Sequence, residues 1–563
     1  MSKSAEKSEV VPILLLISMS IALTTHRILN LTSSVGMLNT DSEGTTWWIW
    51  SRCAGQSNLG RASGVAFPHG FDLSRLPTFN LVDELRIQLA QIFGCNSSAI
   101  IVQLAIFPTF CLIGNSLAGY FLGKSLFHNK QSAFILGMTC AFSSQILLAT
   151  RTPLANNVMF PGLIAVAFAA KWLILRNRQY LLFVLIFQLL QTLANVYNGF
   201  GTFILLTAIL FAHPSAPNSV SFVRLKGTAV SILSSVIGLA PLVVSQIYLF
   251  TQPKLKDVYR PVDMNAEILP TSSLIAKDRG IYNLLSPASW PRPEAGWLST
   301  PLLLALIILL SLLYLKREKE KKIVTSVMRL LPAVVLLVLL IWDIPFFENL
   351  RTLYFQFFFA LRGVSNFAKI MPIMITIICL TILQPYLSMK NNSAHEGRRI
   401  NLLLGLFSFF FLIDNVPFSS SYWRLQDIRP LIQTYGSPDI RRNSGAVAQF
   451  PDFMYGPQWG LPQRFIQLAQ IGDNRPRLNG RDFQQLNDGS AAMPLPIDQA
   501  SLDQLLERGA TTVMLHQALI PKVDLELSKK FLRSKGFEEH GLYNGKQDEL
   551  TYQSLDVLFF ELR

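Results

Sequence analysis

The sequence predicts a mainly helical, polytopic membrane protein with a small α/β domain at its C-terminal end. Half of its residues are hydrophobic and only 15% are charged, and long apolar stretches recur from residue 11 to residue 417. A soluble domain of this length could not bury so much apolar sequence. After residue 417 the composition changes abruptly to an ordinary polar mixture, which indicates a separate folded unit in residues 418–563.

The basic charge belongs to the membrane part. The formal net charge is +14, but residues 418–563 contain 16 Lys and Arg against 17 Asp and Glu, so the basic excess lies in residues 1–417. Membrane proteins concentrate Lys and Arg in their cytoplasmic loops, whereas a nucleic-acid footprint would gather them on one folded surface. We therefore expect membrane lipids, and not nucleic acid, as partners.

Residues 11–31 form the first predicted membrane span. At about 1.5 Å per residue, a helix of this length crosses a hydrocarbon layer of about 30 Å. No small-residue cleavage site follows it cleanly, and His26 and Arg27 lie near its far end. A retained helix is therefore predicted, and not a cleaved signal peptide.

The loop that follows is long for a connection between helices. With Lys3 and Lys7 in the cytoplasm, residues 32–96 lie outside. Two amphipathic stretches, 47–50 and 81–93, could lie flat on the membrane surface. This loop is the first candidate region for a functional site.

Ten further spans are predicted, which makes about eleven in all. They cover residues 98–122, 132–149, 157–175, 180–196, 199–212, 227–250, 299–315, 324–342, 366–386 and 400–417. Alternation from a cytoplasmic N-terminus places five basic segments in the cytoplasm, as the positive-inside rule requires: 124–130, 176–178, 224–226, 316–322 and 390–399. The external side then receives loops 32–96, 251–298 and 343–365 together with the tail, residues 418–563.

Within the tail, three segments predict the small α/β domain. Residues 513–515 follow Gly509 and have the pattern of a buried strand, 524–534 that of an amphipathic helix, and 555–562 that of a closing strand. Residues 418–496 are rich in Pro, Gly and Asn and show poor periodicity. We expect this part to be irregular and to pack back over the membrane domain.

The segment GMLNTDSEGTTWWIW, residues 36–50, carries the strongest candidate site. It places Asp41 and Glu43 beside three tryptophans, at the depth where bilayer meets water. A carboxylate pair is costly at a membrane surface unless it binds or reacts with something. Asp41 could act as a general base, while Glu43 binds a divalent cation or orients the acceptor. A solvated loop with an aromatic belt explains the same pattern.

The cysteines and known motifs exclude several classes of site. Cys53 and Cys95 share the first external loop, where oxidation is permitted, so a disulfide and two free thiols both stay open. No CxxC or HExxH spacing occurs, and a zinc site built from protein ligands is not expected. Neither a GxxxxGK[ST] phosphate loop nor a GxSxG elbow is present, which argues against an ATP-driven pump and a serine hydrolase. Mg²⁺ or Mn²⁺, held by Asp41 and Glu43, is the one cofactor that the sequence suggests.

Several polar residues near the external plane are candidates for substrate contact. The planar guanidinium of arginine can bind two oxygens of a lipid phosphate. Arginines that only extend their charged ends to the membrane interface would show the same pattern. The histidine and the Tyr-Asn pair could equally have structural roles. These candidates are Arg151, Arg351, Arg362, His69, Tyr197 and Asn198.

In the order of its parts, the chain resembles the GT-C glycosyltransferases. It has one helix, an external loop beginning with the DxD-like Asp41-Ser42-Glu43, many further spans and an external C-terminal domain. The stretches WWIW, AFPHGFDL and ALRGVSNFAKIMPI look like segments of a bacterial branch of that superfamily. Val364 and Asn366 depart from the R-x-P-x-R-F pattern that the last stretch resembles. The resemblance covers most of residues 1–420.

The resemblance implies an inverting transfer of a sugar from a polyprenyl-phosphate donor to a glycan, lipid or protein acceptor on the extracytoplasmic face. Asp41 would be the catalytic base, and no nucleotide would be needed. The loop of residues 251–298, with Arg260, would order over the donor as a lid; an ordinary connector is the alternative. The protein would lie in the bacterial inner membrane, with its N-terminus in the cytoplasm.

Two functions of other classes stay open. A transporter or flippase for lipid-linked glycans would bury ionisable residues at mid-membrane and show related halves. Here those residues cluster at the external interface, and no internal repeat is evident. An envelope glycan assembly factor, with a tail that binds other proteins, is compatible with the sequence and would not depend on Asp41.

Overall fold

A computed structural model describes most of the predicted helices and the C-terminal sheet. The described residues are 3–29, 42–55, 61–62, 71–72, 81–143, 146–147, 157–212, 221–251, 300–315, 321–341, 369–388, 394–415, 445–450, 470, 475, 478, 495–517, 520–543 and 557–562.

The membrane part is helical. Its helices are α1 (Lys3–Ile28), α2 (Ser42–Cys53), α3 (Leu81–Ile92), α4 (Ser97–Phe127), α5 (Lys130–Phe142), α6 (Phe160–Leu175), α7 (Gln179–Ala194), α8 (Val196–Ala212), α9 (Ser221–Thr251), α10 (Thr300–Leu315), α11 (Lys321–Ile341), α12 (Ile370–Ser388) and α13 (Ala394–Asn415). A two-residue pair, β1 (Arg61–Ala62) and β2 (Phe71–Asp72), lies between α2 and α3.

Within the described residues, α1 and α4 to α13 coincide with the predicted spans. The two additional helices, α2 and α3, contain the two amphipathic stretches of the first external loop. By length and composition, Ala105–Phe127 is the one described helical segment that could cross a bilayer unaided, and shorter apolar helices include Phe160–Leu175 and Val196–Ala212. How many helices cross the membrane therefore stays a prediction.

Apolar side chains also cover the outside of the bundle. Leu225 of α9, Leu304 of α10 and Phe409 of α13 each expose more than half of their surface. Water would disfavour such a surface, whereas lipid chains solvate it without penalty. The exterior of the bundle is therefore suited to a bilayer.

Helices α4 and α5 approach closely because small residues line their contact. A Cβ added to Gly119 would lie 2.7 Å from Cβ of Cys140, and one added to Gly123 would lie 2.5 Å from Cα of Ala133. Between helices in lipid, such close backbone approach provides much of the packing attraction. Thr109 of α4 also donates to Thr24 of α1 at 2.8 Å, so α1 joins the same unit.

Helices α7 and α8 form a hairpin that turns within a single residue. Asn195 is extended, with φ −160° and ψ 116°, and its Oδ1 accepts from the Asn198 N–H at 2.9 Å. One turn beyond, Nε2 of Gln188 donates to the carbonyl of Gly199 at 2.8 Å. A Cβ on Gly199 would meet Cα of Thr192 at 2.7 Å, so the missing side chain lets the two backbones meet.

The N-terminal end of α6 receives its hydrogen bonds from neighbouring helices. Buried Gln191 accepts from the Gly162 N–H at 3.0 Å and donates to the Val158 carbonyl at 2.8 Å. Asn115 of α4 accepts from the Met159 N–H at 3.1 Å. These side chains satisfy backbone groups that a buried helix end would otherwise leave without partners.

Basic residues gather at the opposite end of the bundle. Arg176 ends α6 in a left-handed conformation, with φ 57°. Arg224 of α9 lies within electrostatic reach of Arg176 and Arg329, and Arg329 donates to the Phe211 carbonyl of α8 at 3.4 Å. This is the end that the positive-inside rule assigns to the cytoplasm.

After the last membrane helix the chain builds a four-stranded mixed sheet. Its elements are β3 (Ala446–Phe450), α14 (Gln499–Glu507), β4 (Ala510–His516), α15 (Lys522–Ser534), β5 (Phe537–Tyr543) and β6 (Val557–Leu562). The strand order is β3-β4-β6-β5, in which β3 pairs parallel to β4 and the other neighbours are antiparallel. Leu505 of α14 and Leu532 of α15 pack into its core. The strand, helix and strand predicted from residues 513–562 are all present.

Strand β3 was not predicted. It lies within residues 418–496, which the sequence analysis expected to be irregular, yet all five of its residues are buried. A short strand that is buried on both faces shows no alternation of polar and apolar residues, so periodicity could not find it. Its pairing with β4, some sixty residues later, depends on the tertiary fold.

Replacing Gly123 by alanine should destabilise the helix bundle. The new Cβ would lie 2.5 Å from Cα of Ala133, so α4 and α5 must separate to admit it. We expect a loss of about 1–3 kcal/mol, the usual range for overpacking, measured as a lower unfolding temperature in detergent. The matched control is Gly405→Ala on α13, whose Cβ would meet no atom within 4 Å. Equal unfolding temperatures for the two variants would contradict this account of the interface.

Candidate functional site

The segment after the acidic motif is fastened to the α3 region by two contacts. A disulfide joins Cys53, at the end of α2, to Cys95, which follows α3. Arg52 forms a two-pronged ion pair with Glu84, with nitrogen-to-oxygen distances of 2.9 and 3.0 Å. The same guanidinium lies 5.4 Å from the ring centre of Trp48. The predicted bridge is thus present, and α2 and α3 form one clamped pair.

Helix α3 has two different apolar faces. Val82, Ile87 and Ala90 are buried, whereas Leu85 and Leu89 are about half exposed. Exposed leucines on a helix that lies against a membrane domain are suited to the interface between lipid and water. This arrangement is the one expected of a helix that lies flat on the membrane.

Arg86, a residue of α3, is fully buried. Its Nη1 lies 3.4 Å from Oδ1 of Asp83, and among the described residues its Nε and Nη2 have no hydrogen-bond partner. Burial raises the pKa of the Asp83 carboxyl, and the positive charge of Arg86 opposes that rise. Because a guanidinium keeps its charge in proteins, Arg86 can offer two unused N–H groups to an anion.

Helix α3 packs beside the N-terminal end of α6 and the α7–α8 turn. Val82 of α3 packs in one cluster with Cys111 of α4, Val158 before α6 and Ala194 at the end of α7. The clamped pair therefore rests on the polar turn that holds these helices together.

The predicted Tyr197 and Asn198 lie in the first turn of α8, at this same end. Asn198 is buried and donates to the Val158 carbonyl at 3.1 Å. Tyr197 packs partly buried against the main core. Asn198 therefore has a structural role in the hairpin, and contact of either residue with substrate stays a prediction.

A contact from the tail also reaches this region. Nε1 of Trp47 in α2 donates to Oε1 of Gln470 at 2.8 Å, and both side chains are buried. The tail and the first external loop therefore lie on the same side of the molecule, as the predicted topology requires. The prediction that the tail packs back over the membrane domain agrees with this contact.

Most predicted site residues fall outside the described part of the chain. This holds for Asp41, His69, Arg151, Arg260, Arg351 and Arg362, and for nearly all of the loop 251–298. Glu43 lies in the first turn of α2, but its side chain is not among those described. Their roles stay predictions.

The described residues do not test a metal site at the acidic motif. Among them, no group of three or more His, Cys, Asp or Glu side chains is placed to hold an ion. The pair that the sequence suggests, Asp41 and Glu43, is not part of that set. Two carboxylates suit Mg²⁺ or Mn²⁺ in kind, but a complete ligand set needs further oxygens.

Sequence reasoning missed Arg52, Glu84, Arg86 and Gln470. A signal existed for Arg86, because it follows Val82 by four positions and so falls on the apolar face of an amphipathic helix. The Arg52–Glu84 and Trp47–Gln470 contacts join residues 32 and 423 positions apart. No local pattern predicts contacts at such separations.

Comparison with solved structures defines the class of fold. The archaeal oligosaccharyltransferase AglB from Archaeoglobus fulgidus, solved in complex with an inhibitory peptide and a dolichol-phosphate, aligns with 99% of this chain and 76% of its own. Its TM-score is 0.51 and its identity 12%. The arabinofuranosyltransferase AftD from Mycobacteria aligns with 98% of this chain and 41% of its own, with a TM-score of 0.52 and 12% identity. Both are GT-C membrane glycosyltransferases, and this chain has their fold.

At this level of identity the likeness concerns the fold and does not extend to the activity. This chain spans less than half the length of AftD. No family model matches the sequence, and no curated protein sequence matches it.

Breaking the disulfide should lower stability. The bond joins residues 42 positions apart, for which loss of chain entropy in the unfolded state predicts a contribution of about 4 kcal/mol. We expect Cys53→Ser combined with Cys95→Ser to unfold at a lower temperature than the wild type. A reductant should lower the unfolding temperature of the wild type and leave that of the double variant unchanged.

The remaining cysteines, Cys111, Cys140 and Cys379, are free and buried, so they provide the control for thiol labelling. In intact cells, an impermeant maleimide should label the wild type only after reduction, and only at Cys53 and Cys95. Labelling without reduction would contradict the disulfide. Labelling only after the cells are broken would place the loop in the cytoplasm.

Proposed function

We propose that this chain is a membrane glycosyltransferase that transfers a sugar from a polyprenyl-phosphate donor to an acceptor on the extracytoplasmic face. The acceptor class is a glycan, a lipid or a protein. Asp41 is the general base in this proposal. The observation that carries it is the GT-C-like fold, in which Ser42 and Glu43 of the acidic motif begin α2 of the clamped helix pair.

The disulfide supports the extracytoplasmic side for the reaction. Disulfides persist in oxidising compartments, and reducing agents in the cytoplasm keep thiols free. The Cys53–Cys95 bond therefore favours an external position for the loop that contains Asp41. The basic residues at the other end of the bundle favour the same orientation.

The proposed reaction is a single displacement. The acceptor hydroxyl attacks the anomeric carbon of the sugar from the side opposite the phosphate and gives its proton to Asp41. The bond between the anomeric carbon and the phosphate oxygen breaks, and polyprenyl phosphate leaves with the electron pair. This displacement inverts the configuration at the anomeric carbon.

The backbone of α2 suits a base at Asp41. The helix begins at Ser42, so Asp41 immediately precedes its first residue, and Glu43 lies in its first turn. The positive end of the helix dipole stabilises ionised carboxylates at such positions. A base must be ionised before it can accept a proton, and this position favours that form.

Arginines supply charge for the donor phosphate in this proposal. To the predicted Arg151, Arg351 and Arg362 we add Arg86, which has two N–H groups without a partner among the described residues. A guanidinium matches two phosphate oxygens at once. The loop of residues 251–298, with Arg260, is proposed to close over the bound donor.

Mg²⁺ or Mn²⁺ is proposed only as an additional ion coordinated by Asp41 and Glu43. When bound, it would supply positive charge to the leaving phosphate. The base role of Asp41 does not depend on the ion.

The Asp41→Asn variant tests the function. Asparagine keeps the shape of the side chain and removes the base, so transfer should fall by about 10²–10⁴-fold. The variant is expressed at the wild-type level in a deletion strain of the native host, and surface glycans and lipid-linked sugars are profiled by mass spectrometry. Asp503→Asn, which changes an exposed carboxylate in the tail, is the matched control.

We expect the deletion to change one glycan, the control variant to restore it, and Asp41→Asn to leave undecorated acceptor. Full restoration by Asp41→Asn would show that the acidic motif is structural and would favour the transporter or assembly factor. A deletion that traps the complete lipid-linked glycan on the cytoplasmic side would favour a flippase.

A further inference from the structure

A continuous series of hydrogen bonds joins the C-terminal sheet to the acidic-motif helix. Trp47 of α2 donates to Oε1 of Gln470, and Nε2 of the same amide donates to the Arg475 carbonyl at 3.1 Å. Gln470 therefore uses both ends of its side chain. The amide oxygen binds α2 of the membrane part, and the amide nitrogen binds the Arg475 carbonyl in the tail.

Arg475 fastens this series to the sheet. Its guanidinium donates to the Gly445 carbonyl at 3.0 Å, to Oγ1 of Thr511 at 3.0 Å and to Oγ1 of Thr512 at 2.6 Å. It also pairs with Glu561 of β6 at 3.8 Å. One side chain thus connects the start of β3, β4 and β6.

Every side chain in this series is shielded from water. Trp47 is 5% exposed, Gln470 is fully buried and Arg475 is 4% exposed. A buried hydrogen bond resists disruption because breaking it leaves an unsatisfied polar group in an environment of low polarity. The sheet and Trp47 are therefore joined through groups that water does not reach.

Trp47 is well placed to control the acidic motif. Glu43 lies one helical turn before Trp47 in α2, and Asp41 immediately precedes the helix. The far end of the helix is already held by Cys53 and Arg52. Trp47, six positions after Asp41, therefore attaches α2 to the tail.

We propose that Gln470 is a positioning residue for the reaction: through Trp47 it makes the C-terminal domain set the position of Asp41. This inference rests on the proposed function. A displacement of about 1 Å between reacting groups can cost about 100-fold in rate. The tail then acts on the chemical step without supplying a group to it.

Two variants remove the same hydrogen bond from opposite ends. Trp47→Phe deletes the donor and keeps an aromatic ring, and Gln470→Ala deletes the acceptor. Gln499→Ala is the matched control, because Gln499 is an exposed glutamine of the tail whose amide contacts Asp503. Full-length proteins in lipid nanodiscs are compared, singly and with both changes combined.

Hydrogen exchange of residues 42–53 gives a readout that needs no substrate. We expect each single variant to raise amide exchange in α2 by about ten-fold, the effect of losing one buried hydrogen bond. The combined variant should exchange no faster than Gln470→Ala alone, because that change already removes the bond that Trp47→Phe removes, together with the bond from Gln470 to the Arg475 carbonyl. The control should match the wild type.

Kinetic measurements then distinguish a positioning role in the reaction from simple attachment of the tail to α2. Using the lipid-linked donor identified through the Asp41 experiment, kcat should fall by about ten-fold or more in both variants while the donor KM stays within about two-fold. Unchanged exchange, or multiplying effects in the combined variant, would overturn the link. Raised exchange with unchanged kcat would overturn the positioning role.

Failure of the proposed function gives a distinguishable result. If the wild type transfers no sugar, the positioning role fails with the function, because there is no reaction for Gln470 to position. The exchange measurement still decides whether the tail holds α2.

Discussion

The fastening of α2 is the constraint on which the candidate site depends. A helix of twelve residues is marginal by itself, and this one begins directly after Asp41 and contains Glu43 in its first turn. Its position is set by the Cys53–Cys95 disulfide and the Arg52–Glu84 ion pair at one end and by the Trp47–Gln470 hydrogen bond in its middle. These contacts attach α2 to the α3 region and to the tail.

The membrane part supplies a rigid base for this clamp. At the external end of the bundle, amide side chains such as Gln191 and Asn115 satisfy backbone groups of α6 that lipid could not. The one-residue turn at Asn195 brings α7 and α8 to the same place. The cluster around Val82 then joins α3 to this rigid region. A site built on it can hold its geometry because few of the supporting groups can move independently.

The tail forms a domain of its own and also contacts α2 at the candidate site. Arg475, which is close to fully buried, joins the strands of its mixed sheet. Its guanidinium contacts three segments of the chain. A buried guanidinium is tolerated when its donors are satisfied in this way. Because Gln470 is bonded to the Arg475 backbone, the order of the sheet extends to α2.

Long apolar runs and the tail periodicity were enough to predict the helices and three of the six elements of the α/β domain, because each depends on residues that are near neighbours in sequence. Asp41 and Glu43 were identified as candidates because they lie two positions apart in the chain, and their roles stay predictions. Only the tertiary structure revealed β3, the burial of Arg86 and the partner of Trp47. These features depend on segments that meet after folding, and a lone glutamine at position 470 carries no local sign of the tryptophan it binds.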